Sequence, residues 1–123
     1  NRNSLSPAIR EMIILRVAIL NRAHYEFDAH EPHALKAGVS PEKISALRNI
    51  ELPSIFTEQE MLVLELTDIM TKEIQVSDEL FDRVKPHFND TQRLELVATI
   101  AAYNMVSRFL IALDVNPEEH PPE

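Results

Sequence analysis

The sequence predicts an all-α domain of six helices, and two observations carry that prediction. One glycine and eight prolines in 123 residues leave little material for hairpin turns, which depend on glycine-containing pairs. Between the prolines run apolar residues at helical spacing, opened by Ser, Thr or Asn in cap positions. With 45% hydrophobic residues the chain suits one domain over 1–115, which at this size buries roughly two-thirds of its unfolded surface. The Pro- and Glu-rich segment 116–123 reads as a tail.

Ser6-Pro7 supplies the cap and first position of a helix running to Leu20, because proline loses nothing where the amide would be unpaired. Ile9, Met12, Ile13, Val17 and Leu20 mark one face, and Ile14, Leu15, Ala18 and Ile19 widen it until little polar surface remains. A helix of that kind is buried or lies at a subunit contact. Glu11 and Arg16 are charges with few exposed places to go, and the plain expectation pairs Glu11 with Arg10 or Arg16 or brings it to the rim.

Asn21-Arg22 breaks the first helix. The second runs from Ala23 or His24 to Ala37, with Gly38 as the left-handed residue that closes it. Pro32 falls inside, which predicts a bend between Ala29 and Pro32 or a later start. Ser40-Pro41 opens a short third helix carrying Ile44, Leu47 and Ile50, ended by Leu52-Pro53. Thr57 to Glu60 is a capping box for the fourth, whose apolar positions Met61, Leu62, Leu64, Leu66, Ile69, Met70 and Ile74 extend to about Glu73. Ser77 caps a brief fifth helix through Val84, before Pro86. The last helix opens at Asn89 or Asp90 and reaches Leu113, with Leu96, Val97, Ile100, Tyr103, Met105, Val106, Phe109 and Leu110 as core candidates. Asn104 among them requires a hydrogen-bond partner.

The net charge of −8 and the scatter of the twelve Lys and Arg argue against a nucleic-acid partner. No uninterrupted apolar run approaches the roughly 20 residues that span a bilayer, and no charged leader with a cleavage site opens the sequence. A soluble, cytoplasmic protein with no membrane partner is expected. The absence of cysteine removes disulfides, thiolate ligands and thiol nucleophiles from this chain.

The chemistry-bearing stretch is Ala23-His24-Tyr25-Glu26-Phe27-Asp28-Ala29-His30. Glu26 and His30 stand four apart, so one helical face holds both; by itself that spacing is ordinarily a solvated surface pair. Together with Glu11 and Tyr25 they form a candidate acid/base set of two carboxylates, an imidazole and a phenol, able to move protons near neutral pH with no cofactor. The pattern Glu26-x-x-x-His30-x-x-His33 also admits a divalent-metal reading, which needs a further ligand from elsewhere.

The run from Arg10 to Leu47 resembles the carboxymuconolactone decarboxylase and alkylhydroperoxidase D-like superfamily, most closely in Asn21-x-x-x-Tyr25-Glu26-Phe27-x-x-His30 and in Ala34-Leu35-x-Ala37-Gly38-Val39-Ser40. The resemblance covers about a third of the chain closely. It implies a six-helix alkylhydroperoxidase D-like fold and a homo-oligomer, a trimer or hexamer, whose contacts would use the apolar faces of Met12 to Leu20 or of Leu96 to Leu113. In the peroxidase branch a glutamate, a C-x-x-C and a histidine form the site. Glu11 and His30 match the first and last, whereas Ala23 and Glu26 occupy the two cysteine positions. The thiol peroxidase cycle therefore has no sulfur to run on.

What the resemblance leaves is acid/base chemistry of lyase or decarboxylase/isomerase type on a small carboxylated or carbonyl substrate. His30 is the candidate acid/base, Glu26 orients it or exchanges protons with substrate, Glu11 supplies a second charge across the pocket, and Tyr25 donates to a developing oxyanion. The alternative is a non-catalytic ligand-binding or scaffold domain that keeps the fold.

Overall fold

The computed structural model describes residues 4–115. Among them are six α-helices and no strand: α1 (Pro7–Leu20), α2 (His24–Lys36), α3 (Pro41–Ala46), α4 (Glu58–Lys72), α5 (Asp78–Val84) and α6 (Asp90–Ala112). The tail 116–123 lies outside the described residues. Five of the six helix starts are where cap chemistry places them, and α2 begins after Ala23 with no side-chain cap. Ser6, Ser40, Thr57, Ser77 and Asn89 each accept a hydrogen bond from a first-turn amide. Thr57–Glu60 and Asn89–Gln92 are both full capping boxes.

The near-uniform apolarity of α1 has a simple cause: it is the central helix, with a core on either side. Ile9, Ile13 and Val17 pack with Leu62, Val63 and Leu66 of α4, Leu80 and Val84 of α5, and Leu96 and Ile100 of α6. Met12, Leu15 and Ala18 pack with Phe27 and Ala34 of α2, Val39, Ile44 and Leu47. Each large side chain so buried contributes roughly 1.5–3 kcal/mol. This corrects one expectation, since Met12 to Ala18 are consumed within the single chain and offer no face to another subunit.

Arg16 is buried in that centre with its charge fully used. It donates to both carboxylate oxygens of Asp68 at 2.8 and 2.9 Å and to the carbonyls of Leu47, Asn49 and Ile50. The guanidinium thereby ties the segment after α3 to α1 and α4, and a planar five-donor group suits such a cluster of oxygens. Asn104 is likewise accounted for: it accepts from Asn21 at 2.8 Å and donates to Thr71 Oγ1 and the Ile100 carbonyl at 3.0 Å.

Of the two outcomes expected at Pro32 the later start does not occur, since α2 runs from His24 through Pro32 to Lys36. Three further expectations need correction. Ile50 and Ile74 are exposed rather than inward, because Ile50 follows α3 and Ile74 turns out of α4 at φ 72°. On α6 only Leu96 and Ile100 are buried apolar side chains, while Met105 and Phe109 are 66% and 63% exposed. α6 also carries an 18-residue window of mean hydropathy 1.4, long and apolar enough by length and composition to cross a membrane. Scattered polar residues hide that window from a search for unbroken apolar runs. Those same residues attach the helix to the bundle: Glu95 accepts from the Leu5 amide, Ser107 from Asn21, and Arg108 donates to the Thr71 carbonyl.

Candidate functional site

α1 and α2 pack side by side, and the helical period sets what they bring together. Glu26 and His30 stack one turn apart on α2, and the neighbouring face of α1 presents Glu11. The His30 ring lies between the two acids, with Nδ1 2.9 Å from Glu11 Oε1 and Nε2 2.9 Å from Glu26 Oε1. All three side chains are mostly withdrawn from solvent, at 21% exposure for His30 and 13% and 12% for the acids. Glu11 thus pairs with neither Arg10 nor Arg16.

Two ionised carboxylates on one imidazole are satisfied together only when both ring nitrogens carry protons. A neutral ring donates from one nitrogen only and turns a lone pair toward the other carboxylate. Nδ1 is hydrogen-bonded to Glu11, and Nε2 faces Glu26 in an ion-pair contact of the same length.

The ends of this relay open onto different surfaces. Glu26 lines a pocket of about 210 Å³, together with Ala23, Tyr25 and Arg22 at the α1–α2 junction and Leu110, Ile111 and Val115 at the end of α6. Glu11 lines a separate open groove beside His33 and Lys36. Glu11 is accordingly not a second charge across the pocket of Glu26; it reaches that pocket through His30. His30 itself is not in the pocket wall, so the group that faces the cavity is Glu26.

Tyr25 adjoins Glu26 in the same wall, 39% exposed, and makes no hydrogen bond to the relay among the described residues. The phenol that does meet His30 is Tyr103, read from sequence as a core residue. Its ring stands edge-on to the imidazole at 5.8 Å between centroids, and Arg10 lies over its face and donates to its hydroxyl at 3.4 Å. No local pattern announces this contact, because Arg10 and Tyr103 are 93 residues apart. The metal reading fails on geometry: His33 sits 5.4 Å from His30 between ring centroids, yet no group of three or more metal-competent side chains converges among the described residues.

The pocket owes its shape to helix ends. α1 and α6 close with the same double hydrogen bond, Ala23 N to the Ala18 carbonyl and Arg22 N to Ile19 in one, Val115 N to Leu110 and Asp114 N to Ile111 in the other. α2 ends in the same way at Gly38, whose φ of 102° suits glycine. At the two ends facing the pocket the left-handed residues are Arg22 and Asp114, at φ 61° and 56°.

Comparison with known proteins agrees with this architecture. The model of the Carboxymuconolactone decarboxylase family matches residues 1–68, which include α1, α2 and the whole relay. The uncharacterized protein YdfG of Bacillus subtilis is 30% identical over 114 residues, covering 91% of this chain and 78% of that protein. YnjA of Escherichia coli is 26% identical over 115 residues, covering 93% of this chain and 63% of its own length. Among solved structures, the Agrobacterium tumefaciens protein of unknown function ATU0492, described as a candidate antioxidant defence protein AhpD, superposes with a TM-score of 0.81 at 26% identity, over 94% of this chain and 78% of that one. A peroxidase-related protein from Silicibacter sp. TM1040 shares the fold at a TM-score of 0.82 and 22% identity, over 95% of this chain and 63% of that one. The all-helical fold is therefore alkylhydroperoxidase D-like, without the C-x-x-C cysteines, and the chain belongs to the carboxymuconolactone decarboxylase family.

Proposed function

We propose that this chain is an acid/base enzyme of lyase or decarboxylase/isomerase type, acting on a small carboxylated or carbonyl substrate bound in the pocket beside Glu26. The observation that carries the reading is His30 held at 2.9 Å by a carboxylate on each nitrogen, one of which opens onto that pocket. Glu26 takes a proton from a carbon next to a carbonyl or double bond, and the electron pair moves into the conjugated system as a dienolate. Glu26, held in place beside His30 and Glu11, then returns that proton at another carbon of the dienolate. In a decarboxylation the pair comes from the C–CO₂ bond instead, and protonated Glu26 delivers the proton to the carbanion carbon. Tyr25 in the same wall donates to the oxyanion. His30 acts on substrate through Glu26, which revises its role as the direct acid/base.

Copies of the chain are proposed to assemble as a trimer or hexamer through the exposed apolar residues of α6. Leu94, Met105 and Phe109, with Leu113 at the helix C-cap, support this reading.

The test is uptake of deuterium from D₂O into small β,γ-unsaturated carboxylates and lactones, followed by NMR. Uptake above the buffer rate is expected, falling by roughly 10²-fold or more in Glu26→Gln and His30→Ala. Uptake that persists undiminished in both variants removes the relay from the mechanism. Ligand binding with no uptake leaves the scaffold reading.

A further inference from the structure

Resting on that site, we infer that Arg22 is the anion anchor of the pocket and selects a substrate bearing a carboxylate over a neutral carbonyl analogue. Arg22 occupies the closing position of α1 at φ 61°, which favours glycine over any residue with a Cβ. Its amide is used by the turn, donating to the Ile19 carbonyl at 3.1 Å. Its side chain has no hydrogen bond or ion pair among the described residues, although Glu26 and Asp114 line the same pocket. Arg22, an exposed residue without a side-chain partner, thus lines the same pocket as Glu26, together with the apolar Leu110, Ile111 and Val115. A guanidinium receives a carboxylate through two parallel hydrogen bonds, which fixes the ligand's orientation as well as its charge. An apolar body would lie on the α6 wall, and the reacting carbon would face Glu26.

Two negative groups oppose this anchor. Glu26 faces His30 Nε2 at 2.9 Å. Asp114 is exposed, and water screens it. Neutralising Asp114 should therefore strengthen anion binding slightly.

The backbone supplies a clean test. Glycine suits the φ of position 22 better than arginine, so Arg22→Gly removes the anchor without threatening the fold, which circular dichroism and melting will verify. Hexanoate and hexanamide, alike in size and differing in charge, are titrated by calorimetry and NMR. The unaltered protein should bind hexanoate at least ~10-fold more tightly than hexanamide. Arg22→Gly should bring that ratio to about one, Arg22→Lys should keep part of it, and Asp114→Asn should raise it by about two- to threefold. Helix-end stabilisation alone would move the melting temperature and leave the ratio intact. An unchanged ratio in Arg22→Gly, or no binding of hexanoate to the unaltered protein, overturns the assignment. Because the readout is binding, an Arg22-dependent ratio without deuterium uptake keeps the anchor and discards the proposed reaction.

Discussion

Ala23, at the N-cap of α2, and Glu26, in its first turn, line a single pocket of about 210 Å³. In the peroxidase branch that this sequence resembles, those positions hold the reacting pair of cysteines. Here a methyl group and a carboxylate stand at those positions and line the pocket. Dithiol-dependent reduction of peroxide should accordingly show no turnover above background, measured by peroxide consumption with metal-free protein, since no side chain can cycle through sulfenate and disulfide. Turnover by the unaltered chain would contradict the reading of the site. The double substitution Ala23→Cys, Glu26→Cys should place two thiols on one cavity wall and permit a disulfide, detectable by thiol titration before and after peroxide.

Arg16 is the most exposed point of failure in the fold's energetics, although nothing of it is exposed to solvent. Arg16→Met retains volume but leaves Asp68 and three backbone carbonyls without their donor. A loss of roughly 3–5 kcal/mol is expected in urea unfolding, the scale for breaking a buried ion pair from one side. Arg16→Met combined with Asp68→Leu should cost less than the single change, because no carboxylate is then stranded. A single substitution within 1 kcal/mol of the original stability would show that the cluster is not structural.

Glu60 gives the fold a pH dependence of known sign. Burial pushes its carboxyl up, but hydrogen bonding and charge from Lys43, with the Thr57 amide and hydroxyl, outweigh that and hold it below the ordinary glutamate value. The Lys43 ammonium lies 2.8 and 3.0 Å from its two oxygens, joining α3 to α4. A carboxyl whose pKa is lower folded than unfolded contributes stability that is complete above the unfolded value. That contribution fades as pH falls through the folded one. The stability gap between the original protein and Glu60→Gln, about 0.5–1 kcal/mol at neutral pH for a partly exposed pair, should shrink as acid brings pH below the ordinary glutamate range. A gap that widens in acid would have the wrong sign for this assignment.

Assembly can be tested on α6. Light scattering at micromolar concentration should give a mass above that of a 14.1 kDa chain. Phe109→Glu, placing a charge in the exposed apolar stripe, should lower it without changing the helical circular dichroism. A monodisperse monomer, or an assembly indifferent to Phe109→Glu and Met105→Glu together, argues against this face.

Helix starts were legible in the sequence because caps are local. Ser6, Ser40, Thr57, Ser77 and Asn89 satisfy amides two or three residues away, so their effect is written in adjacent letters. The Glu26–His30 spacing was legible for the same reason, and family resemblance added Glu11. Beyond that reach the sequence lost hold. Whether α1 is buried or shared with another subunit depends on which helices surround it, and only packing answered that α4, α5 and α6 cover one side and α2 and α3 the other. Tyr103 meets His30, and Arg22 shares a pocket with the end of α6, across separations that span most of the chain. Side-chain periodicity determines which face a residue occupies; the identity of what lies opposite that face is decided by how the helices pack, and that is why the Glu26–His30 pair could be read from the sequence while the pocket beside it could not.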